Sequence, residues 1–198
     1  NFKVTPSTNT LSILYLGTLI RKKGVLEIPY IFNELVKQVP NATLHLVGGD
    51  SADILTKKSS TWELMQPLFD TDVKDKVTYH GKVPYEKVNQ FLEQATICIF
   101  PSFAEAFPVS WLEAMAKGKA IVASNIGWGP EVLTNNDQGI LVSPIEHKQY
   151  ASAIGNLLIN NELRQDMQLK ARKKMEEVFD INTIAKQNIE YYKSIIIK

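Results

Sequence analysis

The stretch TICIFPSFAEAFPVSWLEAMAKGKAIVAS, residues 96–124, decides the fold of this chain. It begins with the apolar run TICIF (96–100) and ends with KAIVAS (119–124), and both runs are short and rich in β-branched residues, as buried strands are. Between them, VSWLEAMAKG (109–118) predicts a helix that ends at its glycine. This order predicts two parallel strands joined by a crossover helix.

The alternation of strand and helix patterns continues on both sides of this stretch. Four more strands are predicted, at LSILYL (11–16), ATLHLV (42–47), KVTYH (76–80) and GILVS (139–143). After residue 144 the strand patterns cease and helical periodicity takes over, with a last helix predicted over 182–197. The sequence therefore predicts an α/β fold, with a parallel sheet of about six strands, helices on both faces and C-terminal helices at the end.

The segment between the first two strands is predicted to be a crossover helix. Pro29 suits its first turn, where a missing N–H costs little, and Pro40 helps to end it. Its apolar face is predicted to consist of Ile28, Ile31, Phe32, Leu35, Val36 and Val39. The side chains expected to point outward are Asn33, Glu34, Lys37 and Gln38.

The composition excludes several classes of function. Lys and Arg number 22 against 21 Asp and Glu, a formal net charge of +1, so nothing favours nucleic acid or an acidic membrane surface as a partner. The single cysteine, Cys98, lies in an apolar run and is expected to be a buried, inert residue of a reducing compartment. No apolar run approaches the ~20 residues of a membrane-spanning helix. We therefore expect a soluble, cytoplasmic chain.

Three segments are predicted along the chain. Residues 1–10, NFKVTPSTNT, are polar and are expected to form a linker, so the sequence reads as a piece of a longer protein. Residues 11–180 are expected to form the ligand-binding domain. Residues 181–198 are expected to form a helix whose apolar ending, IEYYKSIII, needs a surface to cover, either this domain or an absent partner.

The loop after the first strand, GTLIRKKG (17–24), is the first candidate ligand site, because ligands of open parallel sheets bind beyond the carboxyl ends of the strands. Its glycines let the backbone approach a ligand, and Arg21 and Lys23 are cations that could bind phosphate. The spacing is not that of a P-loop or a dinucleotide fingerprint. A solvated basic turn is an equal alternative, and Lys22 is expected to be no more than that.

The second candidate site is the start of the helix in the opening stretch. Pro108 suits the first helical position, and Phe107 before it has no side chain that could cap the helix. The amides of Val109, Ser110 and Trp111 are therefore expected to be available, and free amides with the helix dipole favour an anion. The Ser110 hydroxyl could add a donor, or could be an ordinary first-turn serine.

Glu105 and Glu113 flank this helix start. Carboxylates would repel a phosphate, so we expect them to accept hydrogen bonds from hydroxyl groups at the two ends of a nucleotide sugar. The alternatives are an ordinary loop acid at Glu105 and a surface pair of Glu113 with Lys117, one turn away.

Two further features have structural interpretations. The turn SNIGWGPEVL (124–133) could contact a ligand or could be only a turn. No metal-ligand spacing links His45, His80 and His147, so all three are expected to be structural or exposed, and no metal site is predicted.

The segment EAFPVSWLEAMAKGKAIVAS resembles the signature of the retaining GT-B glycosyltransferases of glycosyltransferase group 1 (family 4), in which seven residues separate two glutamates. Further matches follow in the same order over about residues 11–144. They are LGTLIRKKG, LHLVGG, VTYHGKV, ICIFPSFAEAF, SNIGWGPEVL and GILVSP. The resemblance implies the Rossmann-like, doubly wound C-terminal half of a GT-B fold.

The resemblance also implies roles for individual residues. Glu105 would contact the hydroxyls of the donor sugar, Glu113 the ribose diol, and Lys23 with the amides after Glu105 the diphosphate. The loop Gly81 to Val83 would receive the base. The implied donor-binding residues are Gly17, Thr18, Lys23, Val83, Glu105, Ala106, Phe107, Pro108, Val109, Ser110 and Glu113, and the implied catalytic residues are Glu105, Lys23 and Arg21.

The chain departs from the family pattern at three positions. Thr18 stands where an arginine is frequent, and Arg21 could replace that arginine. Pro108 replaces a common glycine and removes one N–H from the phosphate cradle, and Trp128 replaces a second glycine.

By resemblance, the function is donor binding in sugar transfer with retention of configuration, in the synthesis of a surface polysaccharide or other glycoconjugate. The implied partners are a UDP- or GDP-linked sugar and an N-terminal acceptor domain. A peripheral membrane contact would arise only through that domain. No cofactor or dedicated metal is expected. The isolated chain should bind donor but transfer sugar poorly. A non-catalytic nucleotide-sugar-binding or docking module is the alternative, and neither base, sugar nor acceptor can be read from these residues.

Overall fold

A computed structural model of the chain describes residues 11–127 and 129–196. The predicted linker 1–10 and Trp128 lie outside these residues. The predicted strands are all confirmed, each one or two residues shorter than its sequence run. They are β1 Ser12–Leu16, β2 Thr43–Val47, β3 Val77–Tyr79, β4 Ile97–Phe100, β5 Ala120–Ser124 and β6 Ile140–Val142.

Helices fill the connections between the strands and the C-terminal part of the chain. They are α1 Ile28–Gln38, α2 Thr61–Met65, α3 Tyr85–Gln94, α4 Val109–Ala116, α5 Gly129–Val132, α6 His147–Ile159, α7 Asn161–Val178 and α8 Ile181–Ile196. Short 3₁₀ turns occupy Arg21–Lys23, Gln66–Leu68 and Thr71–Lys76. The helical ending predicted after residue 144 is therefore confirmed.

The strands form one parallel sheet in the order β3-β2-β1-β4-β5-β6. This is the Rossmann-like, doubly wound order, so the predicted fold class is confirmed. β1 pairs with β2 on one side and with β4 on the other, so the direction of winding reverses between β1 and β4. The loops that follow these two strands consequently meet at the switch point, where ligands of such sheets bind.

Alternating side chains of the strands build a core on each face of the sheet. Ile13 and Tyr15 point into the cluster that α1 and α6 cover. Leu14 and Leu16 point into the opposite cluster, which contains Trp111 of α4 and residues of α3 and α7. The period of two along each strand thus lets helices cover both faces and leaves the carboxyl edge of the sheet to the loops.

The crossover helix has the predicted apolar face, with one correction on its polar side. Asn33, expected to point outward, is only 8% exposed. Its side-chain amide donates to the carbonyl of Leu68 at 3.0 Å, and its side-chain oxygen accepts from the amide of Asp70 at 3.1 Å. A buried amide is tolerated when both of its ends are paired, and here it joins α1 to the following 3₁₀ turns.

The last helix stands apart from both cores. None of the residues of α8 is buried, and Ile181, Ile189 and Tyr192 are 73%, 55% and 63% exposed. The apolar ending noted in the sequence therefore lies uncovered in this chain. In the described ranges, no helix combines the length and the apolar character that crossing a membrane requires.

Candidate functional site

The loops after β1 and β4 are locked to each other through their backbones. The carbonyl of Lys22 accepts hydrogen bonds from the amides of Phe103 at 2.8 Å and Ala104 at 3.3 Å. Gly24 has a φ of 64°, and a Cβ at this position would lie 1.8 Å from the carbonyl oxygen of Pro101. Glycine adopts this conformation at little cost, and only a residue without a Cβ permits this approach, so the contact fixes how the two loops meet.

Glu105 lies at this junction and is held by two side chains. Its Oε1 is 3.3 Å from Nζ of Lys23 and accepts a hydrogen bond from Oγ of Ser102 at 2.8 Å. The side chains of Lys23 and Glu105 are 23% and 16% exposed, which is unlike an ordinary loop acid. The two residues predicted to contact sugar and diphosphate therefore lie together. The role of Ser102 was not predicted from the sequence. A hydroxyl residue three positions before the acid could have indicated this hydrogen bond.

Tyr15, near the end of β1, is close enough to Glu105 to be affected by its charge. The phenol is buried and donates to the carbonyl of Thr18 at 3.0 Å. Burial, and secondarily the charge of Glu105, raise the pKa of Tyr15 well above its usual value, so the phenol keeps its proton. The hydrogen bond thus fixes the backbone at Thr18, one of the predicted donor-binding positions.

A cleft of about 490 Å³ opens beside this cluster. It is lined by Leu16, Gly17, Thr18, Val47, Gly48, Gly49, Asp50, Lys82, Val83 and Val88. Three of these, Gly17, Thr18 and Val83, were predicted to bind the donor. A methyl group on Gly17 would lie 3.5 Å from Cδ of Lys23, so the cleft adjoins the Lys23–Glu105 pair. Gly48 and Gly49, which follow β2, were not predicted as part of this site, and neither was Asp50.

The start of α4 differs from the prediction. Pro108 is not the first helical residue but the residue before the helix, with φ −84° and ψ 75°. These angles close a tight inverse γ-turn, in which the amide of Val109 donates to the carbonyl of Phe107 at 3.0 Å. The amide of Trp111 donates to the carbonyl of Pro108 at 2.9 Å. The prediction that these two amides are available was therefore wrong.

One amide of the predicted anion site remains. Within the described ranges the N–H of Ser110 meets no protein acceptor, and no side chain caps α4, as the sequence predicted. Ser110 also lies within the eight-residue helix at the positive end of its dipole. The helix start can therefore offer one N–H and its dipole to an anion, which is less than the sequence suggested.

Three of the residues between the two glutamates lie at the surface, whereas Pro108 and Trp111 are buried. Ala106 is exposed, and Phe107 and Val109 are 54% and 56% exposed. The ring of Phe107 lies 6.5 Å from that of Phe179, centroid to centroid, at the end of α7. These residues therefore form an open rim next to Glu105, and their donor-binding role stays a prediction.

Glu113 has a partner that the sequence did not indicate. Its Oε1 accepts a hydrogen bond from the phenol of Tyr85 at 2.8 Å, and this bond raises the pKa of Tyr85. Lys117, the alternative partner, instead forms an ion pair with Glu93 at 2.9 Å. The predicted surface pair of Glu113 with Lys117 was therefore wrong. Tyr85 begins α3, so this hydrogen bond links Glu113 of α4 to the start of α3, two residues after Val83.

Arg21 is engaged away from the Lys23–Glu105 pair. Its Nε and Nη2 each lie 2.8 Å from a carboxylate oxygen of Asp53, whose side chain is 1% exposed. The Thr56 hydroxyl also donates to Asp53, and together these bonds hold the pKa of the Asp53 carboxyl well below its usual range. This arrangement anchors the turn after β1 to the loop after β2. The role of Arg21 as a phosphate cation stays a prediction, since 39% of its side chain is exposed.

The histidines form pairs rather than a metal site. Nδ1 of His45 and Nε2 of His80 are 3.0 Å apart, and burial lowers the pKa of both rings. Nε2 of His147 lies 2.7 Å from the carboxylate of Glu27. Among the residues of known placement, no three His, Cys, Asp or Glu side chains come close enough together to hold a metal ion.

The turn after β5 is dominated by backbone packing. Gly129 lies so close to the carbonyl of Ser124 that a Cβ would be 2.5 Å from its oxygen. This contact favours the structural interpretation of the turn.

Comparison with known proteins agrees with the fold. The family model described as "Glycosyl transferases group 1" matches residues 1–174. An uncharacterized glycosyltransferase of Methanocaldococcus jannaschii is 28% identical over 184 residues, covering 91% of this chain and 44% of that protein. The glycogen synthase of Mycobacterium tuberculosis is 26% identical over 188 residues, covering 94% of this chain and 43% of that protein. The chain thus spans less than half the length of these relatives.

A solved structure has the same fold. The Anabaena protein HepE, solved in complex with UDP and glucose, superposes with a TM-score of 0.79 at 22% identity, covering 94% of this chain and 49% of that one. At this identity the likeness concerns the fold alone.

Proposed function

This chain belongs to the group 1 glycosyl transferases, and we propose that it is the donor-binding domain of an enzyme that transfers a sugar, with retention of configuration, from a nucleoside-diphosphate sugar. The observation that carries the proposal is the Lys23–Glu105 pair at the switch point of the sheet, beside a cleft. A cation for a diphosphate and a carboxylate for sugar hydroxyls stand next to each other there.

The sugar end of the donor is assigned to Glu105. Ser102 and Lys23 both contact Oε1, which leaves Oε2 and the remaining lone pairs for ligand hydroxyls. Lys23 would turn toward the diphosphate when the nucleotide sugar binds. The Ser110 amide at the start of α4 would donate a hydrogen bond to the same diphosphate. Both groups would stabilise the negative charge that develops on the leaving nucleoside diphosphate as the glycosidic bond opens. Arg21 would contribute only through the part of its guanidinium that Asp53 does not use.

The nucleoside end is assigned to the cleft. Gly17, Thr18 and Val83 line it, and these positions match those that the family resemblance implies for the donor. Glu113, which accepts a hydrogen bond from Tyr85 two residues after Val83, would accept further hydrogen bonds from the ribose diol. HepE was solved with UDP, which makes UDP the first nucleotide to test, with GDP next. The proposal includes no dedicated metal and no other cofactor.

The acceptor would be bound elsewhere in the full-length protein. The chain covers 44% and 43% of two relatives, which leaves room for a second domain that carries the acceptor site. The uncovered apolar residues of α8 would pack on that N-terminal domain. We expect this chain by itself to bind donor and to transfer sugar poorly. A polysaccharide or other glycoconjugate is the proposed product, and the cytoplasm the proposed location.

A second candidate function rests on α8. A helix without buried residues, exposing isoleucines and tyrosines, could equally dock on another protein, with the domain acting as a non-catalytic nucleotide-sugar sensor. Transfer by the full-length protein would distinguish the two, since a sensor would bind donor without consuming it.

Calorimetry of this chain with UDP, GDP and ADP tests the proposed function. At least one of the three should bind, and its sugar conjugate should bind too. If none binds up to the millimolar range, the assignment of the donor site is wrong.

A further inference from the structure

Tyr85 makes a hydrogen bond that α3 does not need for its own packing. The side chain is 63% exposed, and α3 is held to the sheet instead by buried Leu92 and by Phe91 and Val88. A hydrogen bond donated by so exposed a phenol contributes little to stability, because water replaces it readily. The 2.8 Å bond from the Tyr85 phenol to Glu113 therefore needs another explanation.

The position of Tyr85 relates this bond to the candidate cleft. Tyr85 follows Val83 by two residues and precedes Val88 by three, and both of these line the cleft. Glu113 belongs to α4, which starts at the rim of the Glu105 cluster. The bond thus links two parts of the proposed nucleoside site. Tyr85 follows the loop proposed to receive the base, and Glu113 is the residue of α4 proposed to bind the ribose.

The carboxylate of Glu113 has capacity for a diol while it is bound to Tyr85. An ionised carboxylate has about four lone-pair sites, and the phenol uses one of them on Oε1. Two vicinal hydroxyls can occupy two of the remaining sites. The bond to Glu113 raises the pKa of Tyr85, so the phenol stays protonated and remains the donor at neutral pH.

We propose that Tyr85 is a positioning residue for ribose recognition, since its hydroxyl fixes the rotamer of Glu113 so that the carboxylate faces the ribose diol of a bound nucleoside diphosphate. The inference rests on the proposed function, because it requires Glu113 to contact ribose. Fixing this half-buried glutamate before the ligand arrives reduces the ordering cost of binding.

Tyr85→Phe isolates the hydroxyl, because the ring is retained. Affinities are measured by calorimetry for whichever of UDP, GDP and ADP binds tightest, for its 2′,3′-dideoxy analogue and for inorganic pyrophosphate. The variant should bind the ribonucleotide about 3- to 10-fold more weakly, the loss expected for one hydrogen bond. Binding of the dideoxy analogue and of pyrophosphate should be unchanged, and so should the melting temperature.

Tyr192→Phe is the matched control, because Tyr192 is also 63% exposed and, in the described part of the chain, its hydroxyl has no hydrogen-bond partner. It should change none of the three affinities. Glu113→Gln should weaken the ribonucleotide at least as much as Tyr85→Phe does.

The outcomes separate the inference from the proposed function. If Glu113→Gln weakens binding of the ribonucleotide and Tyr85→Phe does not, the inference is wrong and the proposed function stands. Equal weakening of all three ligands by Tyr85→Phe would show a structural role and would also overturn the inference. If neither variant has an effect, or if no nucleotide binds, the assignment of Glu113 fails and the inference fails with it.

Discussion

The two glutamates that flank the start of α4 are held in very different ways. Glu105 belongs to what we call the Glu105 arm, residues 21–24 and 101–105, where an ion pair, a serine hydroxyl and backbone bonds fix the two loops to each other. Glu113 belongs to the Glu113 arm, residues 81–85 and Glu113, which is joined by one hydrogen bond from an exposed tyrosine. Preorganisation is thus greatest at the end proposed for the reacting sugar, where misplacement costs most, whereas at the end proposed for recognition it depends on a single side-chain hydrogen bond.

The sharpest test of this difference compares one glycine from each arm. Gly24 and Gly81 have similar left-handed conformations, with φ of 64° and 69°. A Cβ on Gly24 would meet the Pro101 carbonyl at 1.8 Å, whereas a Cβ on Gly81 would meet nothing within 4 Å. Gly24→Ala should lower the free energy of unfolding by about 3 kcal/mol and Gly81→Ala by about 1 kcal/mol, measured by urea denaturation. Equal losses would show that the Glu105 arm is no more tightly fixed than the Glu113 arm.

The next largest effect is expected at Lys23. Because Lys23 lies in the Glu105 arm beside the proposed diphosphate position, Lys23→Ala should weaken nucleoside diphosphate binding about 10-fold, measured by calorimetry. Lys22→Ala is the control, since Lys22 is exposed and contributes to the arm through its carbonyl rather than its side chain. If the two variants lose affinity equally, the arm attracts phosphate only by its overall charge.

The smallest effect concerns the anchor of the Glu105 arm on the loop after β2. The pKa of Asp53 is lowered by Arg21 and Thr56, so its ionised form stabilises the fold above the unfolded pKa of about 4, and this contribution is lost as the pH falls below it. The melting temperature of Asp53→Asn should therefore lie below that of the wild type at pH 7. The difference between the two melting temperatures should shrink as the pH falls from about 4 toward 2.

Asp75→Asn, a change at an exposed acid, serves as the control and should shift the melting temperature little at either pH. A gap for Asp53→Asn that stays constant with pH would show that the Arg21–Asp53 pair does not depend on the charge of Asp53.

The fold was predictable because its signals are periodic and local. Each strand shows as a short apolar run, and the rule that ligands bind beyond the carboxyl ends of parallel strands was enough to place Gly17, Lys23 and Glu105 at one edge. The missing cap of α4 was predicted from Phe107, but the residue before the helix is Pro108, which likewise has no side chain that could cap it.

The features that the sequence did not predict depend on angles or on distant partners. Proline fixes φ but leaves ψ open, so the γ-turn at Pro108 that uses the Val109 amide could not be read from the residue type. Tyr85 and Glu113 are 28 residues apart, and Arg21 and Asp53 are 32 apart, so no spacing rule connects them. Asn33 looked like a surface residue because its partners, at Leu68 and Asp70, belong to a segment without helical or strand periodicity.

The most direct test of the central claim is calorimetry of Glu105→Gln and Glu113→Gln with a nucleoside diphosphate and with its sugar conjugate. The account predicts that Glu113→Gln weakens both ligands by a similar factor, because both contain ribose. It predicts that Glu105→Gln weakens only the sugar conjugate, by about 10-fold, because that carboxylate contacts the sugar hydroxyls. If the two variants weakened binding of the nucleoside diphosphate without its sugar by the same factor, the assignment of the two glutamates to opposite ends of the donor would be contradicted.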